Sequence, residues 1–307
     1  MNPESTPIFL AGPTAVGKSE VALQLAQEIS GEIISVDSMQ VYQGLDIGTA
    51  KPSPQERTIT PHHLIDVANL NQQFDAKRFV TLATQARHEI EQRGNRPIFC
   101  GGTGFYFKAY LEGLDELPPR DSELRTQLEQ TPLAILLAEL QQKDPVLFPT
   151  IDPKNTRRVV RALEIIRLTS HPVSTQRKKR NPETATSTSN PIIVLSRSAT
   201  SLRERINRRV DAMIQAGLVD ETKTWLDCGL KEHPTASQAL GYRQIIDRLH
   251  HHNSLTETVG LIKTKTWQYA RRQRTWFRKQ KNTIWLDLDQ IPPKNRSAAV
   301  LSARRNV

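Results

Sequence analysis

Eight consecutive residues near the start of the chain, Gly12, Pro13, Thr14, Ala15, Val16, Gly17, Lys18 and Ser19, fit the pattern Gly-x4-Gly-Lys-Ser in full. In such a loop successive backbone N–H groups converge on phosphate oxygens, helped by the positive end of a following helix. Lys18 then neutralises phosphate charge and the Ser19 hydroxyl ligates Mg²⁺. The pattern specifies a phosphate chain and not a nucleotide. ATP binding by an NTPase or kinase satisfies it, and so does a pyrophosphate ester. A glycine turn that binds nothing is the bland alternative, and an apolar run before it with a helical pattern after it argues against that.

Two further sites carry chemistry. Asp37 follows an apolar run at residues 33–36, so it stands where a strand ends. Ionised at neutral pH, it accepts a proton or binds magnesium; its structural alternative is to cap the next turn. Gly101, Gly102, Thr103 and Gly104 follow another apolar run at 98–100 and repeat the strand, glycine turn, helix grammar. Thr103 and nearby N–H groups are thereby aimed at the same side. Cys100 beside them reads as a small buried hydrophobe and not as a nucleophile. The run His250, His251, His252 suggests a metal, but consecutive helical residues point in different directions, which favours solvated surface.

The elements that must position these residues alternate. Strands are expected at 8–11, 33–36, 63–67 and 98–100, with Gly31 ending the helix after the phosphate loop and a helix at 75–93. Strands alternating with helices imply βαβ units and a parallel sheet flanked by helices, a P-loop α/β fold. In open sheets of this kind the ligand crevice lies beyond the carboxyl ends of the strands. From about 115 the pattern becomes helical, at 121–130, 132–142 and 154–169. Residues 115–190 therefore read as a helical insertion domain in a core made of 1–114 and 191–307. The insertion ends in a basic run, residues 177–180, and a polar stretch that reads as an exposed loop over 174–191. A strand at 192–195, helices at about 200–216, 218–227, 236–250 and 255–281, and a strand at 284–288 complete the core.

Charge divides along the chain. The net charge is +10 over 307 residues, yet residues 1–153 carry 12 basic and 20 acidic residues. Residues 154–307 carry 30 basic and 12 acidic ones, so the excess sits wholly downstream. A polyanion held by the second half explains this, against the alternative of solvated helix faces. No apolar run approaches the roughly 18 residues of a membrane span. The first residues lack a secretory pattern, and two cysteines make no disulfide framework, so a reducing cytoplasm is expected.

A family likeness now emerges from ordered motifs. The phosphate loop, Ile34-Ser-Val-Asp-Ser-Met-Gln-Val-Tyr42, Asp46-Ile-Gly-Thr-Ala-Lys-Pro52, Gly101-Gly-Thr-Gly-Phe-Tyr106 and Arg157-Arg-Val-Val-Arg-Ala-Leu-Glu164 come first. Arg205, Arg209 and Met213, then Ala239-Leu-Gly-Tyr-Arg-Gln244 and Tyr269-Ala-Arg-Arg-Gln273, follow in order. Together they span about 270 residues and closely resemble the tRNA dimethylallyltransferases, or isopentenyl-tRNA transferases. The resemblance implies transfer of a dimethylallyl group from dimethylallyl diphosphate to N6 of the adenine 3′-adjacent to the anticodon, with Mg²⁺. It implies that residues 12–19 and Arg209 bind the diphosphate, that Lys18 and Thr103 serve catalysis, and that Asp37 is the general base. It further implies tRNA contact, through the anticodon stem-loop, by Asp37, Ser38, Met39, Gln40, Thr103, Arg125, Arg157, Arg158, Val159, Val160, Arg161, Gln238, Ala239, Leu240, Gly241, Tyr242, Arg243 and Gln244. The chain ends soon after Leu288 without a zinc finger, which suits the bacterial form, acting as a monomer.

The chemistry suits these residues. Leaving of an allylic diphosphate develops charge on the leaving group, which loop N–H groups, Lys18, Mg²⁺ at Ser19 and Arg209 stabilise. Adenine N6 is a poor nucleophile and needs positioning and a proton acceptor. The basic helices read as holding RNA through phosphates, with Arg157 and Arg161, and Arg205 and Arg209, paired at i,i+4. Trp276 and Phe277 read as core. A small-molecule or nucleoside kinase, and a non-catalytic RNA-binding protein, are the rival readings.

Overall fold

The chain is described here from a computed structural model that covers residues 6–176, 190–251 and 254–305. Contacts divide it into two units, one of residues 1–109 with 187–307 and the other of residues 110–186, against the 115–190 insertion expected.

The first unit opens with β1 (Ile8–Ala11), α1 (Lys18–Glu28) and β2 (Gly31–Val36), followed by α2 (Pro54–Ile59) and β3 (His62–His63). Next come α3 (Ala76–Gln92), β4 (Arg96–Gly101) and α4 (Gly104–Glu112), which leads towards the second unit. The second unit holds α5 (Ser122–Gln130), α6 (Leu133–Lys143), α7 (Thr156–Thr169) and the single turn α8 (Val173–Gln176). The chain returns to the first with β5 (Ile192–Ser196), α9 (Ala199–Gln215), α10 (Leu218–Leu226), α11 (Tyr242–His251) and α12 (Leu255–Arg278). It closes with β6 (Thr283–Asp287) and α13 (Arg296–Arg305).

The six strands form one sheet in the order β3-β2-β4-β1-β5-β6, every pairing parallel. This is the flanked parallel sheet that alternation implied. Burial explains the strand residues: Ile8, Phe9, Leu10 and Ala11 are all inside, and Phe9 meets Phe99 across β1 and β4 at 5.0 Å. A strand covered on both faces reads as such a continuous apolar run. Helices α1 and α3 pack on β2 and β4, and α13 packs on α1, β5 and β6.

Several bounds depart from expectation for local reasons. The strand expected at 63–67 stops after His63, because Leu64 (φ 61°) and Asp66 (φ 57°) adopt left-handed backbone that cannot continue a ladder. Gly31 begins β2 instead of ending the helix; a Cβ there would lie 2.7 Å from Ile98 Cδ1. The helix expected over 236–250 is a short 3₁₀ turn, a break at Gly241 (φ 92°) and then α11. Helix α2 buries no side chain and so has no apolar stripe to announce it, although Ser53 and Glu56 form a capping box with Pro54 at its start.

The second unit has its own core, in which Leu128, Leu136, Leu140, Val159, Val160, Leu163 and Ile166 are buried. Within it Glu164, with no exposed side-chain surface, accepts from Arg161 Nη1 at 2.8 Å and from the Asp121 amide at 2.9 Å. The basic residues 177–180 and the polar stretch to 189 lie outside the described residues, as does His252.

Candidate active site

Register explains why the chemical residues meet. Ala11 pairs with Gly101 and Gly101 with Val36, so β1, β4 and β2 end level with one another. The phosphate loop, the second glycine turn and Asp37 leave three adjacent strands on one side. Gly101 permits the closeness: a Cβ there would sit 2.1 Å from Val36 O. The phosphate loop itself carries strain, with Ala15 at φ 63° and Gly17 at φ 108° capping α1.

Thr14, Ala15, Gly17, Lys18, Ser19, Asp37, Gln40, Gly102 and Arg209 surround a cavity of about 430 Å³. Lys18 Nζ turns back to its own loop and donates to Gly12 O at 2.9 Å and Pro13 O at 2.8 Å. Burial, with Arg209 adding to it, pulls its ammonium down to about 8. Arg209 Nη1 donates to Thr14 Oγ1 at 3.1 Å. Burial and then Arg205 lower its pKa, though a guanidinium remains charged. The two cations thus sit poorly solvated at one place, an arrangement that an anion relieves.

Asp37 performs both of the jobs weighed for it. Its Oδ1 accepts from the Met39 amide at 2.8 Å and the Gln40 amide at 3.4 Å, capping the turn after β2. Among the described residues nothing donates to Oδ2, and the carboxylate lines the cavity. Thr103 Oγ1 accepts from the Ser38 amide at 3.1 Å, and its hydroxyl also shares a hydrogen bond with Tyr269. Burial and then Asp37 push the Tyr269 phenol up, so it stays protonated. Cys100 lines the cavity as a neutral thiol, raised by burial to about 11.

A second hollow of about 300 Å³ continues from the first, sharing Thr14, Asp37, Thr49, Ala50, Arg209 and Tyr269. Ser38, Met39, Gln238, Ala239 and Leu240 line it, with Val210, Met213 and Ile262 supplying apolar wall. Gly48, Thr49 and Ala50 form one side, and the turn at 46–48 is held by a carboxylate that sequence reasoning overlooked. Glu221 accepts from the amides of Asp46, Ile47 and Gly48 at 2.9 to 3.3 Å and from the Tyr242 hydroxyl at 2.5 Å.

Other expected site residues turn elsewhere. Tyr242 is buried against Glu221, and Gln244 Oε1 accepts from the Gly241 amide at 2.9 Å. Arg243 is exposed and donates to Gln238 Oε1 at 2.7 Å. Arg205, read as an RNA-phosphate contact, instead donates to Ala15 O at 2.8 Å and pairs with Glu20, bracing the phosphate loop from α9. In the helical unit the side chains of Val159 and Val160 are core, so any part they play in RNA contact runs through the backbone or their neighbours. Arg161 is engaged by Glu164 and by Pro118 O at 2.6 Å, and Arg125 by Glu129 at 3.0 Å. Arg157 and Arg158 are exposed on α7. Phe277 is core as expected, whereas Trp276 is only half-buried, its ring over Gly104.

The donors present bear on magnesium. Ser19, Glu20 and Asp37 line the cavity, and among the described residues no three acids, histidines or cysteines cluster. Such a site suits an ion that keeps several waters and takes most of its other ligands from a substrate's phosphates.

Comparison with known proteins gives one answer. Residues 40–280 match the family model described as IPP transferase. The chain is 43% identical over 286 residues to tRNA dimethylallyltransferase 1 of Pelobacter propionicus, covering 91% of this chain and 92% of that protein. To the tRNA dimethylallyltransferase of a Roseiflexus species it is 40% identical, covering 96% and 97%. The crystal structure of the tRNA isopentenylpyrophosphate transferase of Bacillus halodurans superposes with a TM-score of 0.70 at 36% identity, covering 98% of this chain and 97% of that one. A eukaryotic dimethylallyltransferase captured acting on tRNA superposes at 0.80 with 28% identity, covering 97% and 77%.

Proposed function

The chain belongs to the IPP transferase family, and from that premise we propose that it transfers a dimethylallyl group from dimethylallyl diphosphate to N6 of the adenine 3′-adjacent to the anticodon of tRNA. The products are N6-dimethylallyladenosine and diphosphate. One observation carries the reading: a phosphate-binding cavity opens into a partly apolar hollow, with a carboxylate oxygen unclaimed by the protein where the two join.

The residues then divide the reaction. The loop N–H groups, Lys18 and Arg209 receive the diphosphate, and the charge that grows on it as the C–O bond breaks is met by cations already in place. The allyl group faces the hollow walled by Val210, Met213 and Ile262. As the N6–C bond forms, Asp37 Oδ2 takes the N6 proton. Thr103 keeps the Ser38 turn, and with it Asp37, in place. Ser19 would hold Mg²⁺, which would add to the neutralisation of the diphosphate. The target adenine leaves its stack to reach the hollow, and Arg157, Arg158 and Arg243 contact the anticodon stem-loop through phosphates.

Residues of one chain line both hollows, which supports a reading in which the protein acts as a monomer. Among the described residues no helix is long and apolar enough to cross a membrane, and action on tRNA supports a cytoplasmic location. The test is incubation with labelled dimethylallyl diphosphate, Mg²⁺ and unmodified tRNA, followed by nucleoside analysis. Label in N6-prenylated adenosine is expected; ATP turnover without labelled RNA refutes the reading in favour of a kinase.

A further inference from the structure

Gln273 lies on the buried stripe of α12, with Thr266, Ala270 and Phe277, and is only 6% exposed. An amide on a core stripe requires partners for both its ends. They are found at the two glycine turns. Its Oε1 accepts from the Thr14 amide at 2.8 Å, and its Nε2 donates to Gly102 O at 2.9 Å. The Thr14 amide is therefore committed to protein, and the phosphate loop is tied to the neighbouring turn by one side chain.

The tie continues to the acceptor side. Gly102 precedes Thr103, whose amide donates to Val36 O at 3.2 Å and whose hydroxyl accepts from the Ser38 amide. Ser38 follows Asp37. A connected path thus runs from the loop that holds the leaving group, through Gln273 and Thr103, to the carboxylate that takes the proton. Space at Gly102 agrees: a Cβ there would lie 2.3 Å from Gln273 Nε2.

We infer that Gln273 is a positioning residue for the transfer, locking the phosphate loop to the Thr103 turn so that donor and proton acceptor stay in register. The inference rests on the prenyl-transfer reading. Gln273 lines the cavity beside the loop but makes no hydrogen bond to Lys18 or Asp37, so removing it takes away no charged group that meets donor or tRNA. What it loosens is their mutual geometry, and a misplacement of about 1 Å costs on the order of 100-fold in rate.

The test compares wild type with Q273M, which is close in volume and makes neither bond, and with G102A, which displaces the amide from the opposite side. In G102A the severe obstruction is the tip of a flexible side chain, and the nearest backbone atom, Gly12 O, lies at 3.3 Å and must give only slightly, so this variant keeps its fold even if Q273M melts early. Both should lose ~10- to 100-fold in kcat, with the KM for tRNA unmoved, a smaller change in donor KM and an unchanged Tm for G102A. Because both cut the same tie, the double variant should lose no more than the worse single one. Wild-type kcat in both variants overturns the inference, as do losses confined to tRNA KM or losses that multiply in the double variant. No transfer by the wild-type protein overturns the functional reading itself, and the inference with it.

Discussion

Raising the pH should weaken donor binding through Lys18. Its ammonium is held at about 8 by burial, with Arg209 beside it, while the donor's last phosphate proton leaves near pH 6. Above pH 7.5 the donor no longer changes charge, but the lysine does. Diphosphate binds the protonated form, so affinity is full below pH 8 and is lost as pH rises through it. The protonated fraction falls from about 0.9 at pH 7 to about 0.1 at pH 9, which raises the apparent Kd roughly tenfold. Cys100, at about 11, stays protonated across this window. The assay is calorimetric titration of dimethylallyl diphosphate with Mg²⁺ and without tRNA, between pH 6.5 and 9, in two buffers of different ionisation heat. Close to one proton should be taken up per donor at pH 9, and about 0.1 at pH 7. Lys18→Arg, always charged, should flatten the profile whatever its absolute affinity. The sign for folding is opposite: a lowered lysine pKa means the unfolded chain binds more protons above pH 8, so this group's share of stability grows with pH. A donor Kd that stays flat to pH 9 without proton uptake refutes the argument.

Asp37→Asn should lower kcat by ~100-fold or more while tRNA affinity changes little, because Oδ1 still caps its turn; a matching loss of tRNA affinity in filter binding would make Asp37 a recognition residue. Arg158→Gln should weaken tRNA binding and reduce its salt slope by about one, and an unchanged slope would place the side chain away from phosphates. Arg161→Met should act differently, costing roughly 1.5–3 kcal/mol of stability by depriving buried Glu164 of a partner, visible in urea melts. Gly48→Ala would set a methyl 2.3 Å from the Tyr242 ring; thermal melts should show a loss of roughly 1–3 kcal/mol, and a wild-type Tm would mean that ring yields freely.

The parts of the site that sequence made legible were those whose signal is local. The phosphate loop, Asp37 and the Gly101 turn each sit at the end of an apolar run, and parallel pairing of three runs brings them together. Contacts between distant segments were not legible. Arg205 reads as surface because helix spacing shows where a residue faces and not which carbonyl it meets. Glu221 carries no motif, yet it organises residues 46–48. Gln273 did leave a signal, a polar residue on a core stripe, which periodicity flags without naming its partners. The strand at 63–67 failed because hydropathy does not report the left-handed backbone of Leu64 and Asp66.

The Thr14–Gln273 bond joins residues 259 positions apart, which has a consequence for the chain's biosynthesis. The phosphate loop is made 259 residues before its tie. At ordinary rates of synthesis the interval is roughly ten to fifty seconds. Throughout it the loop has its own turn but not the strut that sets it against the neighbouring strand end. Competence for transfer therefore arrives late and all at once, when α12 docks. A ribosome-bound nascent chain stopped short of Gln273 holds every motif residue of the first strands without an assembled centre.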